Sequence, residues 1–208
     1  MLGHDECQAL AVNASPVNEG EAGTRNMLAE PWCQALAARL RRHPGLAQLV
    51  PDDFVAVQCT YFEKSRDRNW LVSVHQDISI PVAQRVEHPG LGAWSAKEDG
   101  WYVQPGADLL ARLLAVRLHI DACGAEDGPL RVMPGTHLQG LIKAETAAAM
   151  RQAASEVVCA AERGSALLMR PLLLHASSKA SGHSRRRVLH FLYGPRTLPM
   201  GLRWQQAV

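Results

Sequence analysis

The stretch Val74–Ile80 constrains this chain more than any other part of its sequence. Its apolar residues fall on one parity, with His75 and Asp77 on the other, which predicts a β-strand. We therefore expect His75 and Asp77 to project from the same face of that strand. An imidazole and a carboxylate on one rigid face can take two adjacent positions on a metal ion. A third ligand would complete the 2-His-1-carboxylate facial triad, which leaves positions open on Fe(II).

Length and composition favour a single folded domain. The chain has 208 residues, of which 47% are hydrophobic, enough for a sizeable core. We predict one domain over residues 1–208, in which residues 1–24 form an irregular lead-in or flap because glycine, proline and asparagine interrupt any period. The net charge of +2, from 22 basic and 20 acidic residues, argues against a nucleic-acid-binding or membrane-surface protein.

Cysteine usage and the N-terminal sequence bear on location. The five cysteines are odd in number and include no C-x-x-C pair, which favours a reduced setting without disulfides or a zinc knuckle. No apolar run reaches transmembrane length. Residues Met1–Gly20 lack the basic-then-apolar pattern of a signal peptide. We therefore expect a cytoplasmic protein with no membrane partner.

Short predicted strands outnumber predicted helices. Pro31–Arg42 is predicted as a helix, since proline suits its first turn and apolar residues recur every four positions. Val55–Phe62 and Trp70–Ile80 are predicted to pair as a hairpin. Further strands are predicted at Ala115–Asp121, Leu130–Met133, Val157–Ala160, Ala166–Leu174 and Val188–Tyr193, and helices at Asp108–Leu114 and Ala144–Ala154. This pattern favours a mainly β jelly roll with flanking helices, whose interior can hold a metal and a small ligand.

Residues Arg85–Gln104 are predicted to form a long loop, which in a domain of this size is typical of a lid or a binding loop. Its tryptophans could line a substrate pocket or cap the edge of the core. Lys97, together with Arg117 on a later strand, could pair with an anionic group of a small carboxylate metabolite. The candidate substrate residues are Trp70, Trp94, Lys97, Trp101, Gln104 and Arg117.

A third metal ligand must come from the histidines that follow Asp77. His175 has the best context, since it ends an apolar predicted strand and small residues follow it. His88 lies in a Pro-Gly loop, where exposure to solvent is the simpler interpretation. For His119 a hydrogen-bonded position on a strand, and for His137 a turn-stabilising role, are the simpler interpretations.

An arginine triplet, Arg185–Arg187, opens the last predicted strand. An antiparallel return from His175 would bring one of the three beside the metal, where a guanidinium can hold a carboxylate in a bidentate fork. Such an arginine suits a 2-oxo acid that chelates iron at one end, because the guanidinium can pair with the carboxylate at its other end. Strand alternation lets only one parity face inward, either Arg186 or the pair Arg185 and Arg187, and a solvated basic patch is expected for the rest.

Taken together, these motifs resemble the phytanoyl-CoA dioxygenase-like (PhyH) family of Fe(II)/2-oxoglutarate-dependent oxygenases over residues 23–204. The resemblance is carried by His75-Gln76-Asp77, by Arg117–Asp121, by Gly128–His137, by Arg170–Ser177 and by the arginine triplet. It implies a double-stranded β-helix (jelly-roll, cupin-like) fold.

The resemblance also implies a set of functional residues. Iron ligands are expected at His75, Asp77 and His175, and 2-oxoglutarate is expected on Arg186 and Ser177. Related halogenating enzymes lack the carboxylate ligand, so Asp77 favours hydroxylation of a C–H bond in a small-molecule substrate by dioxygen, with succinate and CO2 as co-products. The alternative is a non-catalytic jelly roll that binds a ligand or a different metal.

Overall fold

Antiparallel sheets form the body of the protein in a computed structural model that describes residues 1–15, 23–97, 100–182 and 185–208. The strands are β1 (Gly23–Thr24), β2 (Phe54–Lys64), β3 (Val72–His75), β4 (Ile80–Val82), β5 (Gly92–Lys97), β6 (Gly100–Gln104), β7 (Leu114–His119), β8 (Leu130–Val132), β9 (Val157–Cys159), β10 (Ala166–Met169), β11 (His175–Ser177) and β12 (Arg186–Pro195). The helices are α1 (His4–Ala14), α2 (Pro31–Arg42), α3 (Pro44–Ala47), α4 (Ala107–Arg112) and α5 (Ala144–Ala153), with 3-10 turns at Met27–Ala29 and Thr136–Gln139.

Two sheets face each other across the interior. Within the described residues, the larger sheet has five strands in the order β1-β2-β12-β7-β10, and the smaller has four in the order β3-β11-β8-β9. Hydrogen bonds connect the two sheets. One runs from Lys64 Nζ on β2 to Ser177 Oγ on β11 and is 2.7 Å long. The predicted mainly β jelly roll with flanking helices is therefore confirmed.

The larger sheet separates a helix-covered core from the interior. Side chains on one face of β2, β7 and β12 pack against α1 and α2, and the parity of that face changes along β2 between Ala56 and Cys59, at an irregularity in its pairing with β12. Tyr61, Leu118 and Phe191 are fully buried on that face. The predicted helix Pro31–Arg42 is confirmed, and its apolar stripe buries Leu36 and Leu40 against the sheet. Side chains on the opposite face point toward the smaller sheet.

The N-terminal segment differs from the prediction. Residues His4–Ala14 form α1, where an irregular lead-in was expected over residues 1–24. The helix buries Cys7, Leu10, Ala11 and Ala14, which follow the i, i+3, i+4, i+7 spacing of an amphipathic helix. That short stripe is the signal that the interrupting residues obscured. Residues 16–22 of the expected flap lie outside the described residues.

Two strand predictions near the site were wrong. Val72–His75 pairs with β11 in the smaller sheet instead of forming a hairpin with β2. The predicted strand Ala166–Leu174 is cut at Met169, since Pro171 has no N–H to donate and the chain turns there into the other sheet. His175 therefore opens β11 instead of closing β10.

The long loop expected over residues 85–104 is largely a strand pair. Gly92–Lys97 and Gly100–Gln104 pair antiparallel, and β6 also pairs with β4, giving a three-stranded sheet. No helix in the described ranges is long and apolar enough to cross a membrane.

Candidate metal centre and its cavity

A cavity of about 450 Å³ lies between the two large sheets. Side chains from β2, β7 and β12 form one wall, and side chains from β3, β11 and the segment after β3 form the other. Most of the side chains that face the cavity lie on strands, whose pairing sets their direction.

Three of these side chains form a group that could hold a metal ion. His75 ends β3 and His175 begins β11, and the two residues are register partners in the antiparallel pair. Asp77 follows β3, where its backbone N–H donates to the carbonyl oxygen of Pro171 at 2.9 Å. The Nε2 atoms of both histidines lie 3.7 Å from Asp77 carboxylate oxygens. All three ligand atoms lie within 4.8 Å of one another.

The backbone sets the tautomer of both imidazoles. His75 Nδ1 lies 2.8 Å from the carbonyl oxygen of Ser73, and His175 Nδ1 lies 2.8 Å from that of Leu173. A carbonyl oxygen can only accept, so each Nδ1 carries the proton. Each Nε2 is therefore the ring nitrogen left to bind a metal, which is the arrangement that orients metal-binding histidines.

Gln76, between the two ligands, ties their segment to the rest of the protein. Its Nε2 donates to the carbonyl oxygens of Gly140 and Leu172 at 2.9 and 2.7 Å, and its Oε1 accepts from the N–H of Ile142 at 2.8 Å. The side chain is buried. These bonds hold the turn that directs His75 and Asp77 into the cavity.

The metal-binding group is open on one side. The side chains of His75 and Asp77 are 40% and 42% exposed, whereas that of His175 is 7% exposed. Burial acts to raise the pKa of Asp77, but the nearby imidazoles of His175 and His75 outweigh it and hold the pKa well below its ordinary value. Asp77 is therefore an ionised ligand at neutral pH.

A third histidine lies beside this group. His190 on β12 belongs to the facing sheet, its side chain is 14% exposed, and its Nε2 lies 3.8 Å from Asp77 Oδ2. Burial lowers the pKa of His190 to about 4, so the ring is neutral at pH 7. Its Nδ1 has no hydrogen-bond partner among the described residues.

The other end of the cavity is cationic. Arg186 is 2% exposed and donates through Nη1 to the carbonyl oxygen of Gly128, while its Nε has no partner among the described residues. Lys64 is 1% exposed and donates to Ser177 Oγ at 2.7 Å. Burial, with Arg186 and Arg117 nearby, lowers the pKa of Lys64 to about 8. Ser177 in turn donates to Gly128 at 2.9 Å.

The arginine triplet splits by parity. Arg186 lines the cavity, whereas its two neighbours are engaged outside it. Arg187 forms a bidentate pair with Asp121 at 2.7 and 2.8 Å, and Arg185 Nε donates to Glu63 at 2.8 Å. Only Arg186 of the three is therefore available to an anion inside the cavity.

Arg117 is a second guanidinium in the cavity wall. It is 5% exposed, and its Cζ lies 5.5 Å from the centre of the Phe62 ring. Its Nε has no hydrogen-bond partner among the described residues. Burial, reinforced by Arg186, lowers the pKa of Arg117 to about 9, so it is charged at pH 7.

The predicted substrate residues divide into two groups. Trp70, Lys97 and Arg117 line the cavity. Trp94 and Trp101 are half-buried or exposed and pack against each other with ring centroids 6.5 Å apart. Gln104 ends β6 opposite Gly92. The described residues that line the cavity do not include Trp94, Trp101 or Gln104, because pairing of β5 with β6 directs these side chains elsewhere.

Three residues of the site carried no functional prediction. Lys64 lies two residues beyond the predicted strand Val55–Phe62, but β2 continues to it, and it shares the parity of Thr60 and Phe62. His190 shares the parity of Arg186 on β12. Gln76 had no assigned role. Strand alternation could have placed the first two, whereas the bonds of Gln76 depend on distant segments.

The family model of phytanoyl-CoA dioxygenase (PhyH) matches residues 16–188. The chain belongs to the phytanoyl-CoA dioxygenase family. PhyH membership supports an oxygenase of the non-haem iron and 2-oxoglutarate type, as the sequence motifs led us to expect. No curated protein sequence matches the chain.

Solved structures share the PhyH fold at low identity. EvdMO1 superposes with a TM-score of 0.64 at 18% identity over 94% of this chain, which spans 46% of EvdMO1. SnoK, a non-heme alpha ketoglutarate dependent carbocyclase from nogalamycin biosynthesis, superposes with a TM-score of 0.67 at 15% sequence identity. The match covers 94% of this chain and 77% of SnoK. HygX from Streptomyces hygroscopicus, with nickel and 2-oxoglutarate bound, superposes with a TM-score of 0.62 at 14% sequence identity. The match covers 93% of this chain and 80% of HygX. At such identities these likenesses establish the fold.

Proposed function

We propose that this protein is an Fe(II)- and 2-oxoglutarate-dependent dioxygenase that hydroxylates a C–H bond of a small molecule, with succinate and CO2 as co-products. One observation carries the proposal. A three-ligand group with an open side and a buried cationic end occupy the same cavity. A 2-oxo acid with a second carboxylate needs both features, one for each end of the molecule.

The donor set fits Fe(II). Two neutral imidazole nitrogens and one carboxylate are the ligands of non-haem iron oxygenases. Both Nε2 atoms are left to bind the metal because both Nδ1 atoms donate to the backbone. His75, Asp77 and His175 would hold the metal.

The cationic end fits the far carboxylate of 2-oxoglutarate. Arg186 presents an unpartnered Nε, and a guanidinium can grip a carboxylate with two parallel hydrogen bonds. Ser177 Oγ and Lys64 Nζ lie beside it. Gly128 shapes this end, since its φ of +62° and the nearby Ser178 carbonyl leave no room for a side chain.

The protein's own part in the reaction is positional. Iron with 2-oxoglutarate supplies the oxidising chemistry when both are bound. Arg186 would orient the co-substrate, and the cavity walls would hold the substrate's target C–H near the metal while excluding water. Asp77 supports hydroxylation, because it supplies the carboxylate that halogenating relatives lack. We also propose that the protein acts in the cytoplasm, on a substrate that is neither nucleic acid nor membrane lipid.

An anaerobic titration tests the proposal. Fe(II) and 2-oxoglutarate added to the protein should produce the weak visible metal-to-ligand charge-transfer band, and air should then release succinate. Products that gain one oxygen atom would separate hydroxylation from ring closure of the SnoK kind. Absence of the band, with iron bound elsewhere or not at all, would favour a non-catalytic jelly roll.

A further inference from the structure

Among the described residues that line the cavity, cationic side chains outnumber carboxylates. Among its described lining residues, Asp77 supplies one carboxylate. The cations that line it are Arg25, Lys64, Lys97, Arg117 and Arg186. A divalent metal and doubly charged 2-oxoglutarate cancel each other, so this excess persists when both are bound.

Arg117 concentrates the imbalance in the interior. It is 5% exposed, and its guanidinium makes no hydrogen bond or ion pair with a described residue, only a contact over the Phe62 ring. A buried charge without a counter-ion is costly, so buried charges in proteins are paired or bind a ligand. An anion from solution is the partner that this arrangement lacks.

We call Arg186, Lys64 and Ser177 the co-substrate clamp. The guanidinium of Arg117 lies near enough to interact with the charges of Arg186 and Lys64, but its backbone is placed toward the metal-binding group. On β12 its register partner is His190, four residues from Arg186, which is about 13 Å along a strand. His190 in turn reaches to 3.8 Å from Asp77. An anionic group held by Arg117 would therefore bring the rest of its molecule beside the metal-binding group.

We propose that the primary substrate is an oxyanion, a carboxylate or a phosphate ester, whose charged group binds Arg117. Lys97, which also lines the cavity and lies 5.0 Å from the Tyr102 ring centre, adds to the potential that attracts it. This substrate class rests on the proposed oxygenase function. The planar fork of Arg117 matches both carboxylate and phosphate geometry.

The test measures anion binding apart from turnover. Benzoate and inorganic phosphate are titrated into the anaerobic protein with Fe(II) and saturating 2-oxoglutarate, and thermal unfolding is followed. At least one should stabilise the wild type. Arg117→Gln should weaken that binding by roughly 30-fold or more, and Arg117→Lys by less, because lysine keeps the charge but loses the fork. Arg203→Gln, at an exposed position, is the matched control and should bind as the wild type does.

Three further readouts decide the assignment. The charge-transfer band with 2-oxoglutarate should be unchanged in Arg117→Gln and weakened in Arg186→Gln; equal weakening would move Arg117 into the co-substrate clamp and overturn the proposal. Without ligands, Arg117→Gln should unfold no earlier than the wild type, since it removes an unpaired buried charge. Anion binding that is absent in the wild type, or unaffected by Arg117→Gln, also overturns the proposal.

The two proposals can fail separately. If no band forms, the same titration on zinc-loaded protein without 2-oxoglutarate still reports on Arg117, and loss of anion binding in Arg117→Gln but not in Arg186→Gln would support the anion site. If the band forms, acids and their methyl esters, and phosphate esters and their parent alcohols, are compared as stimulants of succinate release. Stimulation by the charged member of a pair identifies carboxylate or phosphate as the source.

Discussion

His75 and His175 are register partners across β3 and β11, and their ring centroids lie 4.2 Å apart with the ring planes at 51°. Two residues far apart in the chain thus become neighbours through sheet pairing alone. Each ring is also anchored to the backbone two residues before it. The metal-binding group is therefore a property of the smaller sheet, with Asp77 added from the turn that follows β3.

Removal of the carboxylate ligand should abolish metal-dependent chemistry. Asp77→Ala leaves two imidazoles, and we expect loss of the charge-transfer band and of succinate release. Asp67→Ala, at an exposed position, is the matched control and should retain both. Full activity in Asp77→Ala would show that the metal lies elsewhere.

Gln76 should control metal affinity without touching the metal. Gln76→Leu leaves the Ile142 N–H and the Gly140 and Leu172 carbonyls without their side-chain partner. We expect Fe(II) affinity to fall by roughly 10- to 100-fold, as when supporting partners of metal ligands are lost. Equilibrium metal titration measures this effect. Gln84→Leu, at an exposed position, is the control and should leave the Fe(II) affinity unchanged. An unchanged Fe(II) affinity in Gln76→Leu would contradict the positioning role of Gln76.

The arginine triplet gives a three-way comparison. Arg186→Ala should weaken 2-oxoglutarate binding by roughly 30-fold or more, since a buried charged contact is truncated. Arg185→Ala should bind as the wild type, because its side chain is half exposed and pairs with Glu63 outside the cavity. Arg187→Ala should lower stability through Asp121 while keeping the band. If the charge-transfer band persisted in Arg186→Ala but was lost in Arg185→Ala or Arg187→Ala, the role of binding 2-oxoglutarate would pass to that arginine.

Lys64 should make co-substrate binding depend on pH. Its pKa of about 8 means that the charge is present below pH 8 and is lost as the pH rises through that value. Affinity for 2-oxoglutarate should therefore fall between pH 7 and 9, by roughly tenfold for one charged hydrogen bond. Lys64→Met should bind weakly with a flat profile, and the exposed Lys143→Met should follow the wild type. If the affinity of Lys64→Met for 2-oxoglutarate depended on pH as that of the wild type does, Lys64 would not be part of the 2-oxoglutarate site.

The N-terminal helix should be structural. Leu10 is 8% exposed in the helix-covered core, whereas Val12 on the same helix is 62% exposed. Leu10→Ala should lower the free energy of unfolding by about 2 kcal/mol or more, and Val12→Ala should change it by less than about 0.5 kcal/mol. Denaturant unfolding compares the two. Equal effects would mean that α1 does not pack as described.

Local sequence was enough for much of the site. The alternation around His75 and Asp77 and the small residues after His175 identified residues that the fold brings together. Parity separated Arg186 from its neighbours, leaving the choice between the two sets to the structure. These placements could be inferred from sequence because strand period is a local property of the chain.

Features that depend on distant segments were not predictable in this way. The partner of β3 is β11, and the separation of β10 from β11 at Pro171 follows from which sheet each strand joins. The sequence left open whether the tryptophans of Arg85–Gln104 line a substrate pocket or cap the edge of the core, and pairing of β5 with β6 directs Trp94 and Trp101 away from the cavity. Lys64 was missed because β2 extends further than its apolar residues indicate.

The uneven exposure of the three ligands has a kinetic consequence. His175 is almost covered, whereas His75 and Asp77 face the opening. Exchange of the ion with solution would therefore begin at His75 and Asp77, with His175 the last contact broken and the first made. Bound organic acids would cover that same side, so occupancy of the cavity would slow the escape of the ion to chelators.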